Sequence, residues 1–226
     1  MHLFSLNYLL SPNFIVYYFT SNEYSKIRKM SLNIKKSDFV KSASKPSQYP
    51  LSSYPEFFFA GKSNSGKSSM LNAICNRKKL ARTSKTPGRT QLINFFLVND
   101  CLSFVDIPGY GYASTSKKIS NTWNDMVIDY LSSKRNIVSM FITIDVRRGI
   151  EELDEKMIDL TSNFNIKTNV VITKSDKVSK SSRFQVKRNI EKTLSKQKNV
   201  KYISIFSSKS GEGIQEIHDI IEEMSK

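Results

Sequence analysis

Cysteine and histidine are scarce: the 226 residues hold two of each. Cys75 and Cys101 form no Cys-x-x-Cys pair, which argues against a disulfide framework or a thiolate metal site. Both sit in apolar contexts and are read as buried free thiols of a reducing, cytosolic-type compartment. His2 and His218 lie too far apart in the chain to suggest a metal pair or a triad. Long apolar runs are missing as well. Residues 3–10 and 14–19 are apolar, but Ser11-Pro12-Asn13 separates them, and a membrane-spanning helix needs about 20 residues. The same stretch shows neither the charged n-region nor the cleavage site of a secretory leader, and few of the arginines of a mitochondrial one. Met30 is read as the true start, with residues 1–29 an extension from the gene model and the Lys/Ser-rich residues 30–54 a flexible lead-in. Acidic residues are outnumbered, 20 against 35 Lys+Arg, for a net charge of +15. A balance this basic suits a negatively charged partner.

What is present is one well-placed loop. The apolar run Phe57-Phe58-Phe59-Ala60 leads into Gly61-Lys62-Ser63-Asn64-Ser65-Gly66-Lys67-Ser68, and a helix-like stretch starting at Ser69 follows. Gly-x-x-x-x-Gly-Lys-Ser between strand and helix is a phosphate-binding loop. Its glycines let successive backbone N–H groups converge on phosphate oxygens, and the helix N-terminus adds positive potential. Lys67 reaches the β- and γ-phosphates, and the Ser68 hydroxyl holds Mg²⁺. The hydrophobic fraction of 39% is enough for one α/β domain, placed at residues 55–226.

Two strand-like runs follow, residues 92–98 and 101–105, joined by Asn99-Asp100 as a tight turn. The second ends in Asp106-Ile107-Pro108-Gly109, the Walker-B arrangement of a carboxylate near the metal and a glycine N–H near the γ-phosphate. Trp123, Met126, Val127, Tyr130 and Leu131 recur at helical spacing as core residues. Residues 137–144 read as a buried strand and 150–164 as an amphipathic helix, with Asp145-Val146-Arg147-Arg148 between them as a strand-end ion-pair cluster. Two more strand ends carry Thr173-Lys174-Ser175-Asp176 and Phe206-Ser207-Ser208. At that position Asp176 can accept from guanine N1–H and the N2 amino group, whereas adenine would leave it unpaired. The Lys174 stem can cover the base, and the Ser208 N–H can meet the guanine O6.

With these residues assembled, the sequence resembles the EngB family of ribosome-biogenesis GTP-binding proteins, over about residue 35 to the C-terminus. The most specific stretches are residues 61–69, 81–96 (Ala-Arg-Thr-Ser-Lys-Thr-Pro-Gly-Arg-Thr-Gln-Leu-Ile-Asn-Phe-Phe) and 106–113 (Asp-Ile-Pro-Gly-Tyr-Gly-Tyr-Ala). The resemblance implies a P-loop NTPase fold of the Ras-like GTPase type, with a mostly parallel six-stranded sheet flanked by helices. It makes Thr90 the switch I threonine that joins Ser68 on Mg²⁺, with Gly88, Arg89, Gln91 and Leu92 beside it. Ser69 and residues 106–109 complete the phosphate end, and residues 173–176 and 206–208 the guanine end. Lys67, Thr90 and Gly109 are the expected catalytic groups. Asn64 matches a K⁺-coordinating position of related GTPases. Tyr110 stands where signalling GTPases carry a water-orienting Gln, so slow hydrolysis is expected. The implied role is assembly of the large ribosomal subunit, with a requirement for cell division and septation, by a cytoplasmic, ribosome-associated bacterial monomer.

Basic residues crowd two regions. Lys78, Lys79, Arg82, Lys85 and Arg89 lie near the switch I threonine. From residue 174 to 201, Lys174, Lys177, Lys180, Arg183, Lys187, Arg188, Lys192, Lys196, Lys198 and Lys201 face only Asp176 and Glu191. Contact with rRNA through its backbone is the expected use. Two rivals remain at this point: a small-molecule kinase or ATPase, which Asp176 opposes, and a division regulator acting apart from ribosomes.

Overall fold

Phe57, Phe58 and Phe59 are shut off from solvent on both faces of one strand, β2 (Glu56–Gly61). A strand apolar on both sides belongs inside a sheet that helices cover on both faces. The computed structural model places it there; it describes residues 34–81, 92–111 and 117–226. In chain order the elements are β1 (Ser37–Ala43), β2, α1 (Lys67–Ile74), β3 (Ile93–Val98), β4 (Leu102–Asp106), α2 (Lys117–Ser132), β5 (Ile137–Asp145), α3 (Glu152–Asn163), β6 (Lys167–Thr173), α4 (Lys180–Thr193), β7 (Val200–Ile205) and α5 (Ile214–Met224). The strand order is β1-β3-β4-β2-β5-β6-β7. The pairs β4–β2, β2–β5, β5–β6 and β6–β7 are parallel; β1–β3 and β3–β4 are antiparallel.

Alternation along β2 sorts the core into two layers. Phe57 and Phe59 pack with Phe104, Phe141 and Phe206 under α1 and α5, through Met70, Leu71, Ile217 and Ile221. Phe58 and Ala60 face α2, α3 and α4, through Val127, Tyr130, Ile158 and Ile190. The rings of Phe59 and Phe141 stack at 5.4 Å. Beneath this core, Glu56 is buried against Arg135, with Arg135 Nη2 2.8 Å from Oε2. The Tyr130 hydroxyl donates to Glu56 at 2.7 Å and the Ser103 hydroxyl at 3.0 Å.

The sheet has seven strands, not six. The additional one, β1, comes from the stretch read as a flexible lead-in, and it pairs with β3 from Ser37↔Val98 to Ala43↔Ile93. Its residues alternate poorly, because an edge strand is held by backbone bonds rather than by a buried face. The β3–β4 turn grips its start: Asn99 Oδ1 accepts from the Lys35 and Lys36 N–H groups at 2.9 and 3.1 Å. Asn99 and Asp100 both have positive φ, 50° and 55°, as a two-residue hairpin turn requires. Cys75 is buried as expected, but Cys101, just after that projecting turn, is exposed. Residues 1–29, with Gly88, Arg89, Thr90 and Gln91, lie outside the described residues.

Candidate functional site

The parallel strands end along one edge of the sheet, and the predicted motifs that fall on described residues, 61–68, 106–109, 173–176 and 206–208, are gathered there. At the end of β2 the chain passes Asn64 (φ 66°) and Gly66 (φ 101°) before α1 begins at Lys67. A side chain at 66 would be strained and would meet Thr173 at 3.2 Å. The loop is braced from beneath by residues that sequence spacing did not flag. Thr143 Oγ1 lies 2.6 Å from Ser65 Oγ and donates to the Ala60 carbonyl at 3.2 Å. The Thr173 hydroxyl donates to the Ser65 carbonyl.

At the phosphate end, the Lys67 ammonium is paired with Asp106, both largely shielded from water. Gly109 sits directly on the loop: a Cβ there would come within 3.0 Å of Ser63 Oγ and 3.1 Å of the Ser63 backbone. The Ser63 N–H donates to the Tyr110 carbonyl at 2.9 Å, and the Tyr110 N–H to the Gly61 carbonyl at 3.3 Å. Walker-B segment and phosphate loop therefore share a short backbone bridge. The Ser68 hydroxyl and Asp106 carboxylate are hard oxygen donors of the kind Mg²⁺ takes. Among the described residues no group of three or more His, Cys, Asp or Glu could hold a metal. Mg²⁺ would thus depend on these oxygens together with phosphate and water, and Thr90 lies outside the description.

Tyr110 is turned inward. It is buried and donates from its hydroxyl to Asp154 at 2.6 Å, in the first turn of α3. Burial, reinforced by the Asp154 charge, pushes its phenol well above the ordinary value.

At the base end, the Ser207 hydroxyl donates to Asp176 Oδ1 at 2.7 Å. Ser207 Oγ itself accepts from the N–H groups of Lys209 and Ser210 at 3.2 and 3.3 Å, which leaves its proton for Asp176. The Ser207 bond, with Lys177 nearby, holds the Asp176 carboxyl below its usual value. Lys174 takes φ 58° and spans the site, with Nζ 2.6 Å from the Asn64 carbonyl and 2.9 Å from Asp145 Oδ2. Asp145, read from sequence as an ion-pair cluster, binds Arg147 as well. Burial opposes its ionisation, but the bonds from Arg147 and Lys174 outweigh it and keep the carboxyl well below 3.8. Glu212 joins the two base-reading segments, accepting from the Ser175 hydroxyl at 2.6 Å and from Arg183, while its carbonyl accepts the Ser207 N–H. Nothing in local spacing marks Glu212, because its partners lie 37 and 29 residues away in sequence.

Comparison with known proteins agrees with this fold. A family model described as "50S ribosome-binding GTPase" matches residues 56–174. A probable GTP-binding protein EngB of Citrifermentans bemidjiense is 45% identical over 182 residues, covering 80% of this chain and 85% of the relative. The corresponding Bacillus cereus protein is 39% identical, covering 86% and 98%. A crystal structure of a probable GTP-binding protein EngB superposes with a TM-score of 0.61 at 23% identity, over 75% of this chain and 98% of that one. That likeness speaks for the fold: a P-loop GTPase domain with a mostly parallel sheet.

Proposed function

The chain belongs to the EngB family of GTP-binding proteins, and from that premise we propose that it is a slow GTP/GDP switch acting in assembly of the large ribosomal subunit. The observation that carries the reading is the convergence at one sheet edge of a phosphate loop and Asp176, an ionised carboxylate aimed by Ser207. Lys67 would exchange Asp106 for β- and γ-phosphate oxygens, and the Gly109 N–H would donate to the γ-phosphate. Ser68, Thr90 and Asp106 would hold Mg²⁺, which would supply charge neutralisation at those oxygens. Asp176 would accept from guanine N1–H and N2. The Tyr110 hydroxyl is committed to Asp154 and so would not orient water, and turnover would be slow until a partner assists.

Support for the ribosome comes from the matched family's description and from charge. Lys180, Arg188, Lys192 and Lys196 are exposed along one row of α4 and the turn after it, and among the described residues none forms an ion pair. Such a row binds RNA phosphates in a salt-sensitive way. No described helix is long and apolar enough to cross a membrane. The experiment is cosedimentation with large-subunit particles in GDP and in a non-hydrolysable GTP analogue, at low and moderate salt. Binding in the GTP state that fades with salt is expected. Absence of binding in either state, with guanine-nucleotide affinity intact, would remove the ribosome from the reading. The division role would be secondary to ribosome supply if precursor particles accumulate before septa fail in depleted cells.

A further inference from the structure

The Pro108-Gly109 segment has no side chain able to hold it in place by hydrogen bonds. Proline has no N–H and glycine no side chain, yet the Gly109 backbone packs within contact of Ser63 on the phosphate loop. Besides the backbone bridge between Tyr110 and the loop, two side-chain bonds fix it, one on each side of Gly109. The Trp123 indole N–H, from α2, donates to the Pro108 carbonyl at 2.8 Å. The Tyr110 hydroxyl donates to Asp154 of α3 at 2.6 Å. The two rings also meet edge to face, with centroids 5.7 Å apart.

The acceptor for Tyr110 is itself immobilised. Asp154 is fully buried; its other oxygen accepts the Glu151 N–H at 3.0 Å and forms an ion pair with Arg148 Nη2, 2.9 Å away. Glu151 in turn accepts from Lys62 of the phosphate loop at 2.7 Å. A closed circuit therefore runs from the loop through the start of α3 to Tyr110 and back to the loop through the Ser63–Tyr110 bridge.

We propose that Tyr110 and Trp123 are positioning residues that hold the Gly109 N–H at the γ-phosphate, so that they discriminate GTP from GDP without touching either. This rests on the GTPase reading above. The physical reason is selective: only the triphosphate has an oxygen for the Gly109 N–H, so slack in the clamp weakens GTP binding and leaves GDP binding alone. A tyrosine bonded merely to satisfy a buried hydroxyl would make no such distinction.

Tyr110→Phe and Trp123→Phe each delete one hydrogen bond and keep a ring. Calorimetric affinities for GDP and a non-hydrolysable GTP analogue, single-turnover hydrolysis and thermal melting would be measured on the full chain. The expected result for each variant is roughly a tenfold loss for the analogue and in hydrolysis, the size of one bond to a charged or strongly oriented group, with GDP affinity within about twofold. Trp123 is the chain's single tryptophan, so its emission in the wild type should differ between the two nucleotides, and Tyr110→Phe should shrink that difference. Equal weakening of both nucleotides, or an unchanged ratio in both variants, would overturn the proposal while leaving the GTPase reading intact. A wild type that binds no guanine nucleotide would overturn both.

Discussion

Replacing Asp176 by Asn keeps the shape of the base site and reverses one half of its hydrogen-bonding sense. Ser207 donates to Oδ1 and is locked as a donor by the Lys209 and Ser210 N–H groups. The new amide must therefore turn its carbonyl to Ser207 and its NH₂ to the base. Guanine presents N1–H and an amino group there, so one donor would face another. Oδ1 keeps a weaker bond from N1–H, but the guanine amino group meets the amide NH₂, so one bond to a charged acceptor is lost and an unpaired donor is left on each side, for a total of ~3–6 kcal/mol. That corresponds to a fall of roughly 10²–10⁴ in GDP affinity. Xanthine carries a carbonyl in place of the amino group and would accept from the amide. Calorimetric titration with GDP and xanthosine diphosphate checks the reasoning: the wild type should prefer GDP and Asp176→Asn the xanthine nucleotide. Unaltered GDP affinity, or loss of GDP without gain of the xanthine nucleotide in a folded variant, would refute it.

Arg135→Met strips the buried Glu56 carboxylate of its ion-pair partner while leaving Tyr130 and Ser103; urea unfolding should show a loss of about 3–5 kcal/mol, and a change below about 1 kcal/mol would contradict the burial argument. The Asp145 carboxyl is depressed in the folded state, so its contribution is complete above the unfolded value of 3.8 and declines as pH falls below it. The stability gap between wild type and Asp145→Asn should accordingly be constant near neutrality and narrow in acid; a gap that widens in acid would reverse the sign. Thiol titration should find one fast group, Cys101, and one that reacts only on unfolding, Cys75, whose thiol burial pushes up to about 12. Turnover faster in K⁺ than in Na⁺, abolished by Asn64→Ala, is expected if Asn64 coordinates the ion; equal turnover in both salts would discard that role.

Segments whose chemistry is local were legible in the chain. Gly61, Gly66, Lys67 and Ser68 owe their meaning to neighbours a few residues away, because a backbone curl and a helix start are local events. The same holds for Asp106 and Gly109 at one strand end and Asp176 at another. The apolar run Phe57-Phe58-Phe59-Ala60 marked the strand before the loop for the same reason. Strand β1 escaped notice because its stabilisation is backbone pairing with β3, fifty or more residues away, and leaves no pattern in side chains. Exposure of Cys101 followed from where a turn projects, which flanking apolar residues do not reveal. Tertiary structure alone decided what Tyr110 does. In sequence it is only the residue after Asp-x-x-Gly; in the fold its hydroxyl reaches Asp154, 44 residues on, and with Trp123 it clamps Gly109 to the phosphate loop. Local order sets which groups are available, whereas contacts between distant segments set where each group points, and a nucleotide switch depends on both.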